Sequence, residues 1–187
     1  MIRRLTIGLA VFILIVLVAG IFLRNYTKSF SPQDTASFSD GNMKLEVEYS
    51  RPSKKDRLIF GDQEDGALVP YGEKWRTGAN EATEVEFSQD VRINGKELAA
   101  GRYSLYTIPA DDNWVVAINE NTDYWGINLF GETFDESMDV VRGSAIVSKL
   151  DEPQEDFLIS FEKEGSGKVL MHFSWDRTRA SLPIQYE

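Results

Sequence analysis

Apolar and polar residues alternate with period two along many segments of this chain, and its first two dozen residues, mostly apolar, depart from that pattern. Met43, Leu45, Val47 and Tyr49 alternate with Lys44, Glu46 and Glu48, which predicts a strand with one buried and one wet face. Val85 and Phe87 alternate with Glu84 and Glu86 in the same way. Asn94-Gly95 follows Val91-Arg92-Ile93, a strong two-residue hairpin signal. A β-rich run from Arg102 to Ile108 is entered at Ala100-Gly101 and stopped by Pro109. Further strands are expected at Trp114 to Asn119, Val140 to Leu150, Phe157 to Glu162, Val169 to Trp175 and Ala180 to Ile184. Asp111-Asp112-Asn113, Asp151-Glu152-Pro153 and Gly165-Ser166-Gly167 read as the turns between them. Only Gly131 to Asp139 suggests a helical turn. About eight short strands at this spacing predict an all-β domain, an antiparallel sandwich or a partly open barrel.

The N-terminal run is of another kind. Arg3 and Arg4 precede Leu5 to Leu23, a stretch with no charge and with Thr6 as its one polar side chain. About 20 apolar helical residues match a hydrocarbon core of about 30 Å. A helix can cross lipid alone because it satisfies its own backbone hydrogen bonds. A cleaved secretory signal is the alternative, but it calls for a shorter apolar core and a small-x-small site. Val18-Ala19-Gly20-Ile21-Phe22-Leu23-Arg24 offers a poor one. Either reading exports the rest of the chain. A short tail bearing two arginines stays inside, so residues 1–24 are expected to anchor a C-terminal domain on the periplasmic or extracytoplasmic side of the inner membrane. Residues 25–41, rich in Ser, Thr, Asp and Pro, read as a flexible tether. Residues 42–187 remain for one domain with one core.

Charge narrows the partners. Residues 1–30 hold four of the 20 basic residues and none of the 30 acidic ones, leaving 16 against 30 and a net charge of −14 on the remainder. A field of that sign argues against nucleic acid and anionic lipid headgroups, which need Lys and Arg against their phosphates. With no cysteine in the chain, disulfides, Cys-based metal sites and lipid attachment through an N-terminal Cys are excluded.

Residues for nucleophilic catalysis are few. His172 is the only histidine, and alternation sets it with Ser174 and Asp176 opposite Met171, Phe173 and Trp175, as a half-exposed strand residue. A Ser-His-Asp arrangement would need a pocket and an adjacent serine, and no nucleophile-elbow motif is present. Asp62-Gln63-Glu64-Asp65-Gly66 and Asp111-Asp112 could offer calcium oxygens but match no calcium-loop spacing; solvated acidic loops are the simpler reading. No metal or other cofactor is expected.

Leu68 to Thr83 stands apart, aperiodic yet dense in functional side chains. Tyr71 and Trp75 supply stacking surface, Arg76 a planar bidentate donor, and Asn80 and Glu81 directional polar groups. With Arg51 they form a candidate pocket for a polar ligand such as a sugar or a carboxylate. The structural alternative is a loop in which Arg76 pairs with Glu81 or stacks on Trp75.

These segments also carry a resemblance. Ser50-Arg51-Pro52-Ser53, Arg57-Leu58-Ile59-Phe60-Gly61 and Leu68 to Thr83 come in order. After them come Ala100 to Pro109, Trp125-Gly126, Ser174-Trp175 and Leu182-Pro183-Ile184. In these motifs the run Tyr49 to Ile184 resembles an uncharacterised bacterial family, domain of unknown function 2911, found in Bacteroidetes. The resemblance implies an exported, membrane-linked β domain and brings no activity. Asp62 to Ala67 is an acidic insertion relative to the family pattern, and His172 falls outside its motifs.

Three functions are expected from these features, in order of preference. The leading one is a non-catalytic ligand-binding or envelope-interaction module, whose partner is a polar small molecule, a glycan or an envelope protein, with no nucleic acid. The second is an envelope glycan hydrolase using Glu81 and an acid such as Asp123, a pair that must stand roughly 5–10 Å apart. The third is a purely structural envelope protein docking through a sheet edge or apolar patch.

Overall fold

The computed structural model describes residues 2–122 and 135–187. A helix α1, Ile2–Phe30, leads directly into strand β1, Gln33–Asp40, and then β2, Met43–Ser50. The short strands β3, Phe60–Gly61, and β4, Val69–Pro70, flank a 3-10 turn at Gln63–Asp65. Next come β5, Thr83–Phe87, β6, Val91–Ile93, β7, Lys96–Leu98, β8, Gly101–Ile108, and β9, Asn113–Asn119. A second 3-10 turn, Glu136–Met138, precedes the two long strands β10, Asp139–Lys163, and β11, Lys168–Tyr186.

Nine of these strands make one antiparallel sheet in the order β1-β2-β5-β8-β9-β10-β11-β6-β7, while β3 and β4 pair in parallel beside it. The β domain is thus mostly antiparallel sheet, as the alternation predicts, but with eleven strands among the described residues where about eight were expected. The nine-stranded sheet is not closed. It curls until β1 approaches the hairpin of β10 and β11, where Phe38 packs 6.2 Å from Phe161 and 5.9 Å from Tyr186. Asp40 accepts from Tyr186 Oη at 2.7 Å and pairs with Lys163 at 2.6 Å. Inside the curl lie Leu45, Val47, Val85, Phe87, Ile118, Phe173 and their neighbours, all at 1% exposure or less. Each such side chain contributes about 1.5–3 kcal/mol by leaving water.

Two expectations change here. Residues 25–41 are not a tether: they complete α1 and form β1, whose eight residues pair with β2 from Gln33↔Ser50 to Asp40↔Met43. Asp151-Glu152-Pro153 is not a turn between strands either. It lies in a large bulge of β10, where residues 150–153 oppose Arg177 alone, between the pairs Lys149↔Thr178 and Gln154↔Asp176. Proline is tolerated there because a bulged position owes no hydrogen bond to the ladder. Asp176, opposite the bulge, takes a left-handed φ of 51°.

The hairpin at Asn94-Gly95 forms as expected, with φ of 52° and 77°. The predicted helical turn within Gly131 to Asp139 lies partly outside the described residues; its described part holds the turn Glu136–Met138. Among the described residues no helix is long and apolar enough to cross a membrane.

Candidate functional site

The connection from β2 to β5, residues 51–82, folds back over one end of the curled sheet and is held there by its own backbone. Trp75 donates to Thr107 O at 2.8 Å and accepts from Thr107 N at 2.9 Å, extending the end of β8 by one bridge. Its ring stacks on Trp175 at 5.8 Å and 17°, and meets Phe157, Phe60 and Trp114 edge-on at 4.9, 5.8 and 6.0 Å. Trp75 Nε1 donates to Gly78 O at 3.1 Å. Thr83 Oγ1 donates to Thr77 O at 2.8 Å, and the Thr77 and Thr107 hydroxyls bond at 3.0 Å.

Backbone strain gathers at this end. Lys55, Asp56, Thr77, Asn80 and Asp176 have φ between 50° and 59°. Asn94, in its hairpin turn, is the other described non-glycine residue in that region. The left-handed region is costly for a β-branched residue such as Thr77, and strain of about 1–3 kcal/mol persists only where surrounding bonds over-determine it.

Between these segments lies a cavity of about 370 Å³. Trp75 and Trp175 give it an aromatic surface, Lys55, Arg57 and Arg76 give it positive charge, and among the described residues no carboxylate lines it. Arg57 donates through Nε to Lys54 O at 2.9 Å and through Nη2 to Ser53 O, which orients the guanidinium. Arg76 Nη1 donates to Asn80 O at 3.1 Å, and Asn80 Nδ2 donates to Ser31 O at 3.1 Å. Lys55 Nζ stands 4.8 Å over the Phe30 ring, and its backbone N–H is held by Glu155 at 3.0 Å. Two acids of this end are engaged with lysines: Asp176 pairs with Lys54 at 2.8 Å and Glu81 with Lys28 at 2.7 Å.

Of the residues singled out in the sequence, Trp75, Arg76 and Asn80 meet in this cavity. The other three do not line it. Arg51 ties β1 to β10, bonding Asp34 at 3.1 Å and Phe157 O at 3.2 Å. Tyr71 lies beside Asp111, and burial, followed by that carboxylate, pushes its phenol up. Glu81 borders a smaller space of about 150 Å³ with Glu48, Glu84 and Arg102. Arg102 binds both of those glutamates, which leaves the group as an ion-pair network. Asp123, the second acid of the hydrolase reading, and the motif Trp125-Gly126 lie outside the described residues. Sequence reading missed Lys55, Arg57 and Trp175 as site residues. Lys54-Lys55-Asp56-Arg57 is a basic cluster in an acidic domain, and that was the available signal.

A larger groove of about 880 Å³ lies where the C-terminal end of β11 meets the tip of the β10–β11 hairpin. Its cations pair with its own acids, Arg92 with Glu97 at 3.0 Å and Lys168 with Glu164 at 2.5 Å, and its other charges, Asp90 and Glu187, are negative. Among the described residues, no group of three or more His, Asp or Glu could hold a metal ion.

His172 differs from the half-exposed residue expected. It is 5% exposed and bonds Ser181 Oγ at 2.8 Å through Nδ1 and Glu162 at 3.2 Å through Nε2. The bend of β11 at Asp176 permits this meeting of residues nine positions apart. The lining of the two larger cavities does not include His172. Burial lowers its pKa, outweighing the opposing bond from Glu162. The folded protein therefore keeps a neutral imidazole where the unfolded chain, with a pKa of about 6.5, takes up a proton. Stability falls as the pH drops through the unfolded value and levels off below the folded one. Melting curves between about pH 7 and pH 5 should show this slope in the wild type and a shallower one in His172→Gln. A midpoint that rises as the pH falls would mean that the imidazolium–Glu162 pair dominates instead.

A family described as "Protein of unknown function (DUF2911)" matches residues 31–184, which take in β1 and every cavity residue named above except Phe30. No curated protein and no solved structure matches the chain.

Proposed function

This chain belongs to the DUF2911 family, and on that premise we propose that it is a membrane-anchored extracytoplasmic module that binds an anionic ligand without transforming it. One observation carries the reading. In a domain of net charge −14, a cavity of about 370 Å³ gathers Lys55, Arg57 and Arg76 on an aromatic surface, with no carboxylate among the described residues of its lining. The Arg57 guanidinium, held by two backbone carbonyls, keeps further N–H groups in a planar fork that suits carboxylate or phosphate oxygens. Trp75 and Trp175 supply flat apolar area for the remainder of the ligand. Among the described residues the lining holds neither imidazole nor carboxylate, the side chains most used as general bases, which favours binding over transformation.

The anchor rests on the uncharged run Leu5 to Leu23 and on α1, 29 residues long. Phe12, Ile15, Phe22 and the large apolar residues between them are at least half exposed, an arrangement suited to lipid. The side chains of Leu5, Ala10, Val11 and Leu23 are outside the described set, so the run in sequence exceeds the described one. Alkaline carbonate extraction should leave the chain in the membrane pellet; its release would contradict the anchor.

Ligand class is tested by thermal shift on the full chain in detergent, with phosphate, sulfate, dicarboxylates and uronic acids set against neutral sugars. An anion at about 100 times its Kd should raise the midpoint by about 5–10 °C. Lys55→Gln should remove most of that shift. A response to neutral sugars alone, or one retained in Lys55→Gln and Arg57→Gln, would contradict the anionic reading.

A further inference from the structure

The cavity opens where the helix ends. Phe30, the last residue of α1, and Ser31 after it are both part of its lining. Phe30 lies seven positions beyond Leu23, the end of the apolar run, a rise of about 10 Å. The polar layer on each side of a bilayer core is about 5–8 Å deep. A helix that tilts brings Phe30 lower still. An upright helix therefore sets the mouth of the cavity at the outer edge of the headgroup layer, and a tilted one brings it into that layer.

The rim has the composition for that depth. Leu58 and Leu68, bonded backbone to backbone at 3.0 Å, are 46% and 43% exposed, and Phe30 is 47% exposed. Among the described residues from Phe30 onward, Met138 and Ile146 are the other large hydrophobics so exposed. Lys55 and Arg57 stand on the same loop as these leucines, and Lys28 is on the last turn of α1. Exposed leucines among lysine and arginine make an interfacial surface, whose apolar tips enter the acyl boundary while cations meet lipid phosphates. The net charge of the domain argued against such a partner, but it averages over a surface on which Lys55, Arg57 and Arg76 converge at this end.

We propose that the cavity is a headgroup site: it takes the phosphate of an anionic lipid from the membrane that holds α1, with Phe30, Leu58 and Leu68 seated at the acyl boundary. This rests on the reading of the cavity as an anion site. A phosphate ester in solution presents the same chemistry, so the experiment separates the two sources.

The full chain is reconstituted in nanodiscs of phosphatidylcholine alone and of phosphatidylcholine mixed with phosphatidylglycerol, and the domain's melting midpoint is read by tryptophan fluorescence. In the mixed discs the midpoint should rise by about 5 °C or more. The rise should disappear in Lys55→Gln and in Lys55→Gln/Arg57→Gln, and persist in Lys96→Gln, which removes a charge from the β6–β7 hairpin. Inorganic phosphate at matched ionic strength, added to phosphatidylcholine discs, should give a smaller rise. If the two disc compositions give equal midpoints while phosphate raises both, the headgroup site is overturned and the anion site stands. If neither lipid nor phosphate shifts the midpoint, both readings fall. A lipid-dependent rise that survives in both cavity variants would also overturn the proposal, since the lipid would then act elsewhere.

Discussion

Trp175→Ala should lower the stability of the β domain by about 3–5 kcal/mol, the cost of deleting a large aromatic side chain from a packed core. The ring is 1% exposed and stands 5.8 Å from Trp75, 5.9 Å from Phe157 and 6.2 Å from Phe60. Its Nε1 donates to Glu155 O at 3.0 Å, so truncation also leaves that carbonyl without its donor. For a domain of this size the melting midpoint should fall by about 10 °C or more. Trp175→Phe keeps most of the apolar volume and loses the N–H, and about 1–2 kcal/mol separates it from the wild type. Any folded Trp175→Ala protein should also bind anions more weakly, because a wall of the cavity has gone. A loss below about 1 kcal/mol would mean that the cluster is not the keystone its contacts describe.

The second large effect lies on the other side of β8. Tyr106 Oη donates to Asp139 at 2.7 Å, Asn119 Nδ2 donates to the same carboxylate at 2.7 Å, and Arg142 Nε at 2.8 Å. Arg142 also pairs with Glu136 at 2.6 Å, and Glu136 with Lys74 at 2.6 Å. The Asp139 side chain is 6% exposed. Burial, followed by the Asp139 bond, pushes the Tyr106 phenol far above its ordinary value. Arg142→Met would leave a nearly buried carboxylate without its cation. Breaking a buried pair costs about 3–5 kcal/mol, and the 40% exposure of the Arg142 side chain reduces that to about 2–3 kcal/mol. Urea titration of Arg142→Met and of Arg142→Met/Asp139→Asn should show the double variant recovering part of the loss. Two equal midpoints would mean that Asp139 was not the charge left stranded.

The strands legible in the sequence were those with one wet face. Met43 to Tyr49 could be read because its apolar residues alternate with Lys44, Glu46 and Glu48, and β2 has that burial pattern. β1 was missed because Gln33 to Asp40 offers only Ala36 and Phe38 as apolar positions. Its order comes from pairing with β2 and from the contacts of Phe38 and Asp40, which no local pattern reveals. Asp151-Glu152-Pro153 misled because a bulge and a turn use the same residues; what distinguishes them is the long-range ladder of β10 with β11. At the site, Trp75, Arg76 and Asn80 were legible from an aperiodic stretch dense in polar and aromatic groups. Lys55, Arg57 and Trp175 were not, since they meet the others only after the loop folds over the sheet end. Arg51 and Glu81 looked equally suited to a ligand, and each is satisfied by an ion pair outside the cavity.

Whether the cavity binds anions is tested most directly by the indole N–H resonances of the full chain, ¹⁵N-labelled in detergent and titrated with inorganic phosphate. Trp75 and Trp175 line the cavity, whereas Trp114 is fully buried and does not. The Trp75 and Trp175 signals should move along saturable curves and lose that response in Lys55→Gln/Arg57→Gln, with Trp114 nearly still. If phosphate leaves Trp75 and Trp175 unmoved at saturating concentration, or moves all the indole signals alike, the cavity is not an anion site.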